Sequence, residues 1–130
     1  MERNNLNGKV VLIAGGAKNL GGLLSRDFAT KGAKVVIHYN SDSTKADAEK
    51  TLKDITNSGG EAIVFQADLT KVENIKHLFE EAKNKFGGVD IAINTVGMVL
   101  KKPFLDTTEE EYDTMFDINS KVAYFFIQEA

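Results

Sequence analysis

The sequence has 130 residues, 42% of them hydrophobic and 27% charged, with a formal net charge of −3, a composition typical of one modest globular domain. Without a basic excess, nucleic acid is a poor partner, and without cysteine there is no disulfide or thiolate metal site; His38 and His77 are too few to indicate a metal cluster. The apolar runs are too short for a membrane span and the N-terminal MERNNLNGK is too polar for a signal peptide, so we expect no membrane partner and a cytoplasmic location.

Four short apolar runs rich in β-branched residues alternate with segments of helical spacing. The runs KVVLIAG, AKVVIHY, EAIVFQA and VDIAINT begin at Lys9, Ala33, Glu61 and Val89, and each is typical of a buried strand. The apolar positions at helical spacing between them are Leu20, Leu23, Leu24 and Phe28, then Ala48, Leu52 and Ile55, then Ile75, Leu78, Phe79, Ala82 and Phe86. The alternation predicts a doubly wound α/β fold with a parallel sheet, represented by its first four βα units.

Glycines and capping pairs predict the ends of the helices. The predicted stops of the first three helices are Gly32, Gly59 and Gly87. A threonine and a glutamate three residues apart indicate a capping box at two helix starts, Thr70 with Glu73 and Thr108 with Glu111.

The first strand runs into a glycine-rich turn and then a helix, in VVLIAGGAKNLGGLL from residue 10 to residue 24. A helix that starts in such a turn directs unpaired N–H groups at an anion, and in a doubly wound sheet ligands bind at this edge. A Walker-type phosphate loop is excluded because Gly21 is followed by Gly22 and Leu23 rather than by Lys and Ser or Thr. The turn therefore predicts a phosphate site, with a plain strand-to-helix connection as the alternative.

Four motifs in order give the chain a resemblance to the short-chain dehydrogenase/reductase family over its whole length. They are AGGAKNLG from Ala14, ADLT after the third strand, NTVG after the fourth and DINS in the last helix. The family's turn reads Thr-Gly-x-x-x-Gly-x-Gly, and Ala14 and Asn19 depart from it. Asparagine is the non-glycine residue best able to adopt a left-handed conformation, so we expect the turn to survive.

The resemblance implies a Rossmann-like fold and the cofactor-binding half of an oxidoreductase that transfers a hydride between NADP(H) and a carbonyl or alcohol. It also implies that Asp68 and Leu69 border the adenine ring, and that Asn94 and Gly97 shape the floor beside the ribose. Together with the turn and the end of the second strand, the predicted cofactor-binding residues are Gly15, Lys18, Asn19, Leu20, Gly21, Tyr39, Asn40, Ser41, Asp68, Leu69, Asn94 and Gly97.

The end of the second strand predicts the choice of cofactor. An enzyme that selects NAD usually places a carboxylate there, to accept from the ribose hydroxyl and to repel a 2′-phosphate. Tyr39 stands at that position, and Asn40 and Ser41, which follow, can donate hydrogen bonds while Lys18 supplies a cation. We therefore expect NADP(H) rather than NAD(H), although Asp42 is an acidic neighbour.

The last helix carries an asparagine on an apolar stripe. The apolar positions of the stripe are Tyr112, Met115, Phe116, Val122, Ala123 and Phe126, and Asn119 lies among them. We expect partners for its amide, because a buried unpaired amide costs about 1–3 kcal/mol. The resemblance implies a catalytic role, in which this asparagine bonds a backbone carbonyl and holds a water that leads to the active-site lysine.

The catalytic serine and the Tyr-x-x-x-Lys pair of the family are absent from the 130 residues. We therefore expect residues 1–130 to be one NADP(H)-binding domain, truncated before that pair and inactive alone, within a parent enzyme. The end of the last helix is apolar on all sides, which with the resemblance predicts a homodimer or homotetramer through this helix. A non-catalytic dinucleotide-binding or sensing module is the alternative, whereas a methyltransferase would require an acidic residue in place of Tyr39.

Overall fold

The computed structural model describes residues 5–130, so the first four residues of the polar N-terminal segment lie outside the described residues. Within this range four strands form one parallel sheet in the order β3-β2-β1-β4. The strands are β1 (Val10–Ala14), β2 (Lys34–Tyr39), β3 (Glu61–Gln66) and β4 (Ile91–Asn94). This order is half of a doubly wound Rossmann-like sheet, and it confirms the predicted fold class.

Helices connect the strands and cover both faces of the sheet. They are α1 (Asn19–Thr30), α2 (Lys45–Asn57), α3 (Val72–Phe86), α4 (Glu109–Phe116) and α5 (Val122–Glu129), with a π-helical segment (Asp117–Lys121) between the last two and short 3₁₀ turns at Asp42–Thr44 and Phe104–Asp106. Within residues 5–130 no helix combines the length and the apolar character that a membrane crossing requires.

Strand β1 is buried along its whole length and separates two hydrophobic cores. Because side chains alternate along a strand, Val10, Leu12 and Ala14 pack towards α3 and α5. Val11 and Ile13 instead pack towards α1 and α2. Both faces of the centre of the sheet are therefore covered, which explains why β1 reads as a continuous apolar run.

Helix α1 does not bury the leucines that its spacing suggested. Leu20 and Leu23 are 61% and 62% exposed, and the residues turned inwards are Gly21, Gly22 and Ser25. A Cβ on Gly21 would overlap the carbonyl oxygen of Gly15. The predicted stripe is therefore wrong at its first two positions, because the close approach of α1 to the glycine turn selects small residues rather than apolar ones.

Three of the predicted helix ends and one of the two capping boxes are confirmed. Gly87 closes α3 in the left-handed region at φ 89°, and Gly32 and Gly59 also have positive φ. At the start of α4, Thr108 and Glu111 form the reciprocal capping box.

The capping box expected at the start of α3 is wrong. Helix α3 begins after Lys71, whose side chain makes no capping bond. The Thr70 hydroxyl donates to Asp68 instead, at 2.6 Å, so it does not reach Glu73.

The apolar stripe predicted for the last helix is interrupted. Val122 and Phe126 are buried, but Tyr112 and Phe116 are 55% and 53% exposed. The π-helical segment Asp117–Lys121 lies between the two pairs. An i→i+5 turn adds a residue and rotates the following turn relative to the preceding one, so positions at regular helical spacing do not share one face.

Candidate functional site

A cleft of about 810 Å³ opens at the carboxyl ends of the strands. The predicted site residues that line it are Gly15, Lys18, Asn19, Leu20, Gly21, Tyr39, Asn40, Asp68, Leu69, Asn94 and Gly97. Ser41 and Asn119 are not part of this lining. The loops after all four strands therefore meet at one edge of the sheet, and the assigned roles of the residues stay predictions.

The glycine turn is held from behind by hydroxyl groups. Ser25 Oγ lies within hydrogen-bond distance of the carbonyl oxygens of Gly16 and Gly21, at 2.8 and 2.9 Å. Thr51 Oγ1 donates to Ala17 at 2.6 Å, and Thr95 Oγ1 lies 2.7 Å from the Ala14 oxygen and 3.1 Å from the Gly15 oxygen. Ser25 and Thr51 are fully buried. Since these carbonyl oxygens are occupied on the protein side, they do not present negative charge to the cleft.

The N-terminus of α1 faces the cleft without a cap. The N-cap residue, Lys18, makes no side-chain bond to the helix, and the first turn has no acidic residue. The first N–H groups of a helix have no intrahelical acceptor, and here they belong to Asn19, Leu20 and Gly21. The amide hydrogens and the positive end of the helix dipole therefore face a cleft that Lys18 also lines, and this combination suits an anion.

Asn19 takes the left-handed conformation that the turn requires. Its φ is 53°, and it is the non-glycine residue with positive φ in the described part of the chain. The expectation that asparagine can replace the middle glycine is therefore confirmed, because Asn tolerates this region better than most residues.

A histidine joins the turn to the neighbouring strand. His38, 1% exposed near the end of β2, accepts a hydrogen bond from the Gly15 N–H at Nδ1 (3.0 Å) and contacts the Ala67 carbonyl oxygen through Nε2 (2.7 Å). Because an N–H faces Nδ1 and a carbonyl faces Nε2, the proton lies on Nε2 and the ring is neutral. Burial lowers the pKa of His38 below its ordinary value, against smaller opposing effects of the Ala67 bond and the Asp68 charge.

From the sequence His38 was weighed only as a metal ligand, so this contact was not predicted. A polar residue inside the apolar run AKVVIHY was the available signal, since a buried polar side chain needs partners. Within residues 5–130 there is no group of three or more residues suited to hold a metal ion.

The end of β2 carries no carboxylate in the cleft lining. Tyr39 is 7% exposed and packs in the core beside α2, while Asn40 is exposed. The Ser41 hydroxyl pairs with that of Ser43 at 2.8 Å. The carboxylate of Asp42 accepts from the Gln66 amide at 3.3 Å, so the nearby acidic group is engaged on the β3 side.

The loop after β3 is ordered by Asp68. Its carboxylate accepts from the backbone N–H and the hydroxyl of Thr70, at 3.0 and 2.6 Å. These bonds, the hydroxyl first, lower the pKa of Asp68 below its ordinary value. The neighbouring Leu69 is 3% exposed and still lines the cleft. An apolar surface beside an oriented carboxylate is suited to a flat heterocycle with polar edges.

The loop after β4 is held by two asparagines. Asn94 Oδ1 accepts from the backbone N–H of Val96 at 2.9 Å. Asn119, in the π-helical segment, exchanges two bonds with the backbone of Met98: its Nδ2 donates to the carbonyl oxygen and its Oδ1 accepts from the N–H, each at 2.8 Å. The predicted partners of Asn119 exist, but the residue is exposed in the described structure rather than buried.

The family model described as short chain dehydrogenase matches residues 9–130. Among curated relatives, the hydroxynaphthalene reductase-like protein Arp2 of Metarhizium robertsii is 36% identical over 126 residues, which are 97% of this chain and 46% of the relative. Elsinochrome reductase 1 of Elsinoe fawcettii is 36% identical over 131 residues, 100% of this chain and 48% of its own length. The chain therefore spans about half the length of the curated relatives it matches.

The chain also superposes on about half the length of several solved structures. A Burkholderia cenocepacia protein described as a dehydrogenase, with bound NADP, superposes with a TM-score of 0.93 at 57% identity, over 100% of this chain and 49% of that one. A blue fluorescent protein from a metagenomic library in complex with NADPH superposes with a TM-score of 0.90 at 31% identity, over 97% and 51%.

Proposed function

The chain belongs to the short-chain dehydrogenase family, and on that premise we propose that it forms the NADP(H)-binding part of an oxidoreductase acting on a carbonyl or alcohol. One observation carries the proposal: the carbonyls of the glycine turn are tied back by hydroxyls, while the uncapped amides of α1 face the cleft. This donor set fits a pyrophosphate, because it offers hydrogens and a positive dipole without a competing acid. NADP and NADPH are bound in two of the similar structures.

Each wall of the cleft takes a separate part of the cofactor in this proposal. The turn residues hold the pyrophosphate, Asp68 and Leu69 border the adenine, and Asn94 and Gly97 form the floor beside the ribose. The oriented carboxylate of Asp68 and the buried side chain of Leu69 support the second assignment. When bound, NADP(H) supplies the hydride donor or acceptor.

The preference for NADP(H) rests on charge at the end of β2. Lys18 in the turn and Asn40 after β2 line the same cleft, and the strand ends in Tyr39 rather than in an acid. A 2′-phosphate there meets a cation and donors, and the end of β2 contributes no carboxylate to the lining. Ser41 lies next to this group and is assigned to it on sequence position.

In this proposal the proton is transferred by a Tyr-x-x-x-Lys pair that lies outside these 130 residues. The 130 residues contain no Tyr-x-x-x-Lys, so we propose that they bind and orient the cofactor but do not turn over alone, in a cytoplasmic parent enzyme. Asn119 contributes by holding the backbone of Met98 beside the cleft; the water link to a catalytic lysine is part of the proposal. The alternative is a non-catalytic dinucleotide-binding module.

We assign the last helix to self-association. Its exposed apolar side chains are Tyr112, Phe116, Tyr124 and Ile127, each more than half exposed. Covering these side chains with a second copy of the chain would remove apolar surface from water. Sedimentation of the intact protein as a dimer or tetramer, and a shift to monomer for Tyr124→Lys with Ile127→Lys, are the expected results.

The cofactor assignment is tested by titrating NADPH and NADH into the intact protein that carries this chain and following fluorescence. We expect NADPH to bind more tightly, Lys18→Glu to reduce the ratio of affinities about tenfold or more, and Tyr39→Asp to shift it towards NADH. Lys76→Glu, an equal charge change on the exposed side of α3, is the matched control and should leave the ratio unchanged. Equal affinities in the wild type would refute NADP(H) selection, and binding without turnover of any carbonyl or alcohol would favour the non-catalytic module.

A further inference from the structure

The buried histidine beside the glycine turn has no part in the function described so far. We propose that His38 is a positioning residue for the dinucleotide: in its neutral form it holds the glycine turn and the end of β3 at the spacing the cofactor needs, and its protonation weakens cofactor binding. This inference rests on the proposed function of the cleft.

The two ring nitrogens of His38 contact backbone groups on two different sides of the cleft. The Gly15 N–H belongs to the turn that faces the pyrophosphate, and the Ala67 carbonyl directly precedes Asp68 on the adenine side. The backbone of β2 makes parallel bonds, from Gly16 N–H to the His38 oxygen at 2.9 Å and from Ala67 N–H to the Tyr39 oxygen at 3.0 Å. The imidazole on β2 therefore joins the glycine turn to the end of β3. These are the two segments whose spacing must fit one ligand.

The two hydrogen bonds of the imidazole require one protonation state of the ring. A neutral ring with its proton on Nε2 accepts from Gly15 and donates to Ala67. A protonated ring places an N–H at Nδ1 against the Gly15 N–H, so two donors meet in a buried site. The turn must then move, and the amides of α1 beside it lose their alignment.

The cleft that His38 lines also carries other titratable or charged groups. The titratable or charged residues that share the lining with His38 are Lys18 in the turn, Tyr39 on β2, Asp68 after β3 and Asp117 in the π-helical segment. Asp68 favours the protonated ring, and burial opposes it more strongly. The neutral bridge therefore prevails at neutral pH.

Acid should weaken the fold as well as the site. The pKa of His38 is lower in the folded protein than its ordinary value of 6.5. As the pH falls below 6.5, His38 therefore binds a proton in the unfolded chain more readily than in the folded chain. The stability contributed by the neutral ring is complete above the ordinary pKa and is lost as the pH falls through the folded pKa.

The test uses the intact protein with three substitutions. His38→Leu removes both bonds. His38→Asn keeps an acceptor at the position of Nδ1 but cannot become charged. His77→Asn, at the exposed second histidine on α3, is the matched control. The dissociation constant of NADPH is measured between about pH 8 and about pH 5.5, a range that spans the ordinary histidine pKa, with a thermal melt of each sample.

At about pH 8 we expect His38→Leu to bind NADPH about tenfold more weakly and His38→Asn to recover most of the loss. As the pH falls, wild type and His77→Asn should lose affinity faster than His38→Asn. Comparing variants at each pH cancels the titration of the cofactor's own phosphate.

Superimposable pH profiles for wild type and His38→Asn would overturn the inference, and so would wild-type affinity in His38→Leu. If His38→Leu does not fold, the profile of His38→Asn decides alone. Failure of the wild type to bind either NADPH or NADH at about pH 8 is a different result, since it refutes the proposed function and this inference with it.

Discussion

The two walls of the cleft are built in different ways. The glycine turn after β1 is bonded to side chains from α1, α2, β2 and the β4 loop, and Gly16, Ala17 and Gly21 within it are buried. The loop after β4 is exposed from Gly97 to Val99, and the Asn119 amide bonds it to the last helix.

The two walls should lose different amounts of conformational entropy when a ligand binds. A turn whose groups are already ordered loses little freedom when a phosphate arrives, so its donors act at full strength. A loop that is exposed and is bonded to the last helix through the Asn119 amide can shift to suit different ligands. The rigid wall therefore suits the constant part of a cofactor, and the looser wall suits the part of the site nearest to a variable substrate.

The sharpest test of this contrast is the same substitution on each wall. Gly21→Ala should destabilise the protein by about 3 kcal/mol and abolish nucleotide binding, because the added Cβ overlaps the backbone of the turn. Gly97→Ala should cost far less, since its Cβ meets Asn119 Oδ1 at 3.3 Å and φ there is not positive. Chemical unfolding with cofactor titration checks both, and equal losses would show that the walls are equally tight.

A smaller effect is expected from the hydroxyl behind the turn. Ser25→Ala leaves the buried carbonyl of Gly16 without its donor, and we expect a loss of about 2 kcal/mol. Ser58→Ala is the matched control, because its hydroxyl bonds the Asp54 carbonyl four residues back at 2.9 Å, as Ser25 bonds that of Gly21, but is exposed. Its loss should be within about 0.5 kcal/mol. Denaturant midpoints measure the two, and a Ser25→Ala midpoint no lower than that of Ser58→Ala would contradict a pre-ordered turn.

The smallest effect on stability is expected at the loose wall. Asn119→Ala should lower the free energy of unfolding by only about 1 kcal/mol, since the lost bonds are exposed. Hydrogen exchange at the Met98 amide should nevertheless rise clearly, because its acceptor is gone. Asn84→Ala on the exposed side of α3 should change neither quantity. Unchanged exchange at Met98 would mean that the loop is held by more than Asn119.

Elements with a strong period were predictable, and contacts between elements were not. The four strands and the core of α3, at Ile75, Leu78 and Ala82, follow the pattern in the sequence. The exposed Leu20 does not, because the packing of α1 against the turn selects glycine at the next position. The capping bond expected of Thr70 is absent, because α3 begins one residue later and the Thr70 hydroxyl donates to Asp68.

The candidate site shows the same division. The glycine turn was predicted from the spacing of its glycines, and Asp68 and Asn94 were implied by the family resemblance; all of them line the cleft. His38 was missed as a structural contact, because its partners Gly15 and Ala67 lie 23 and 29 residues away. The predicted stripe of the last helix was wrong for a further reason, because the π-helical segment Asp117–Lys121 interrupts the regular helical spacing.

Sequence by itself determined the alternation of strands and helices, the parallel sheet and the place of the glycine turn, because hydrophobic period and glycine act on neighbouring residues. Tertiary structure alone decided which face of α1 is buried, the neutral tautomer of His38 and the pairing of Asn119 with Met98. Each of these depends on the distance between atoms brought together by folding, which no local pattern encodes.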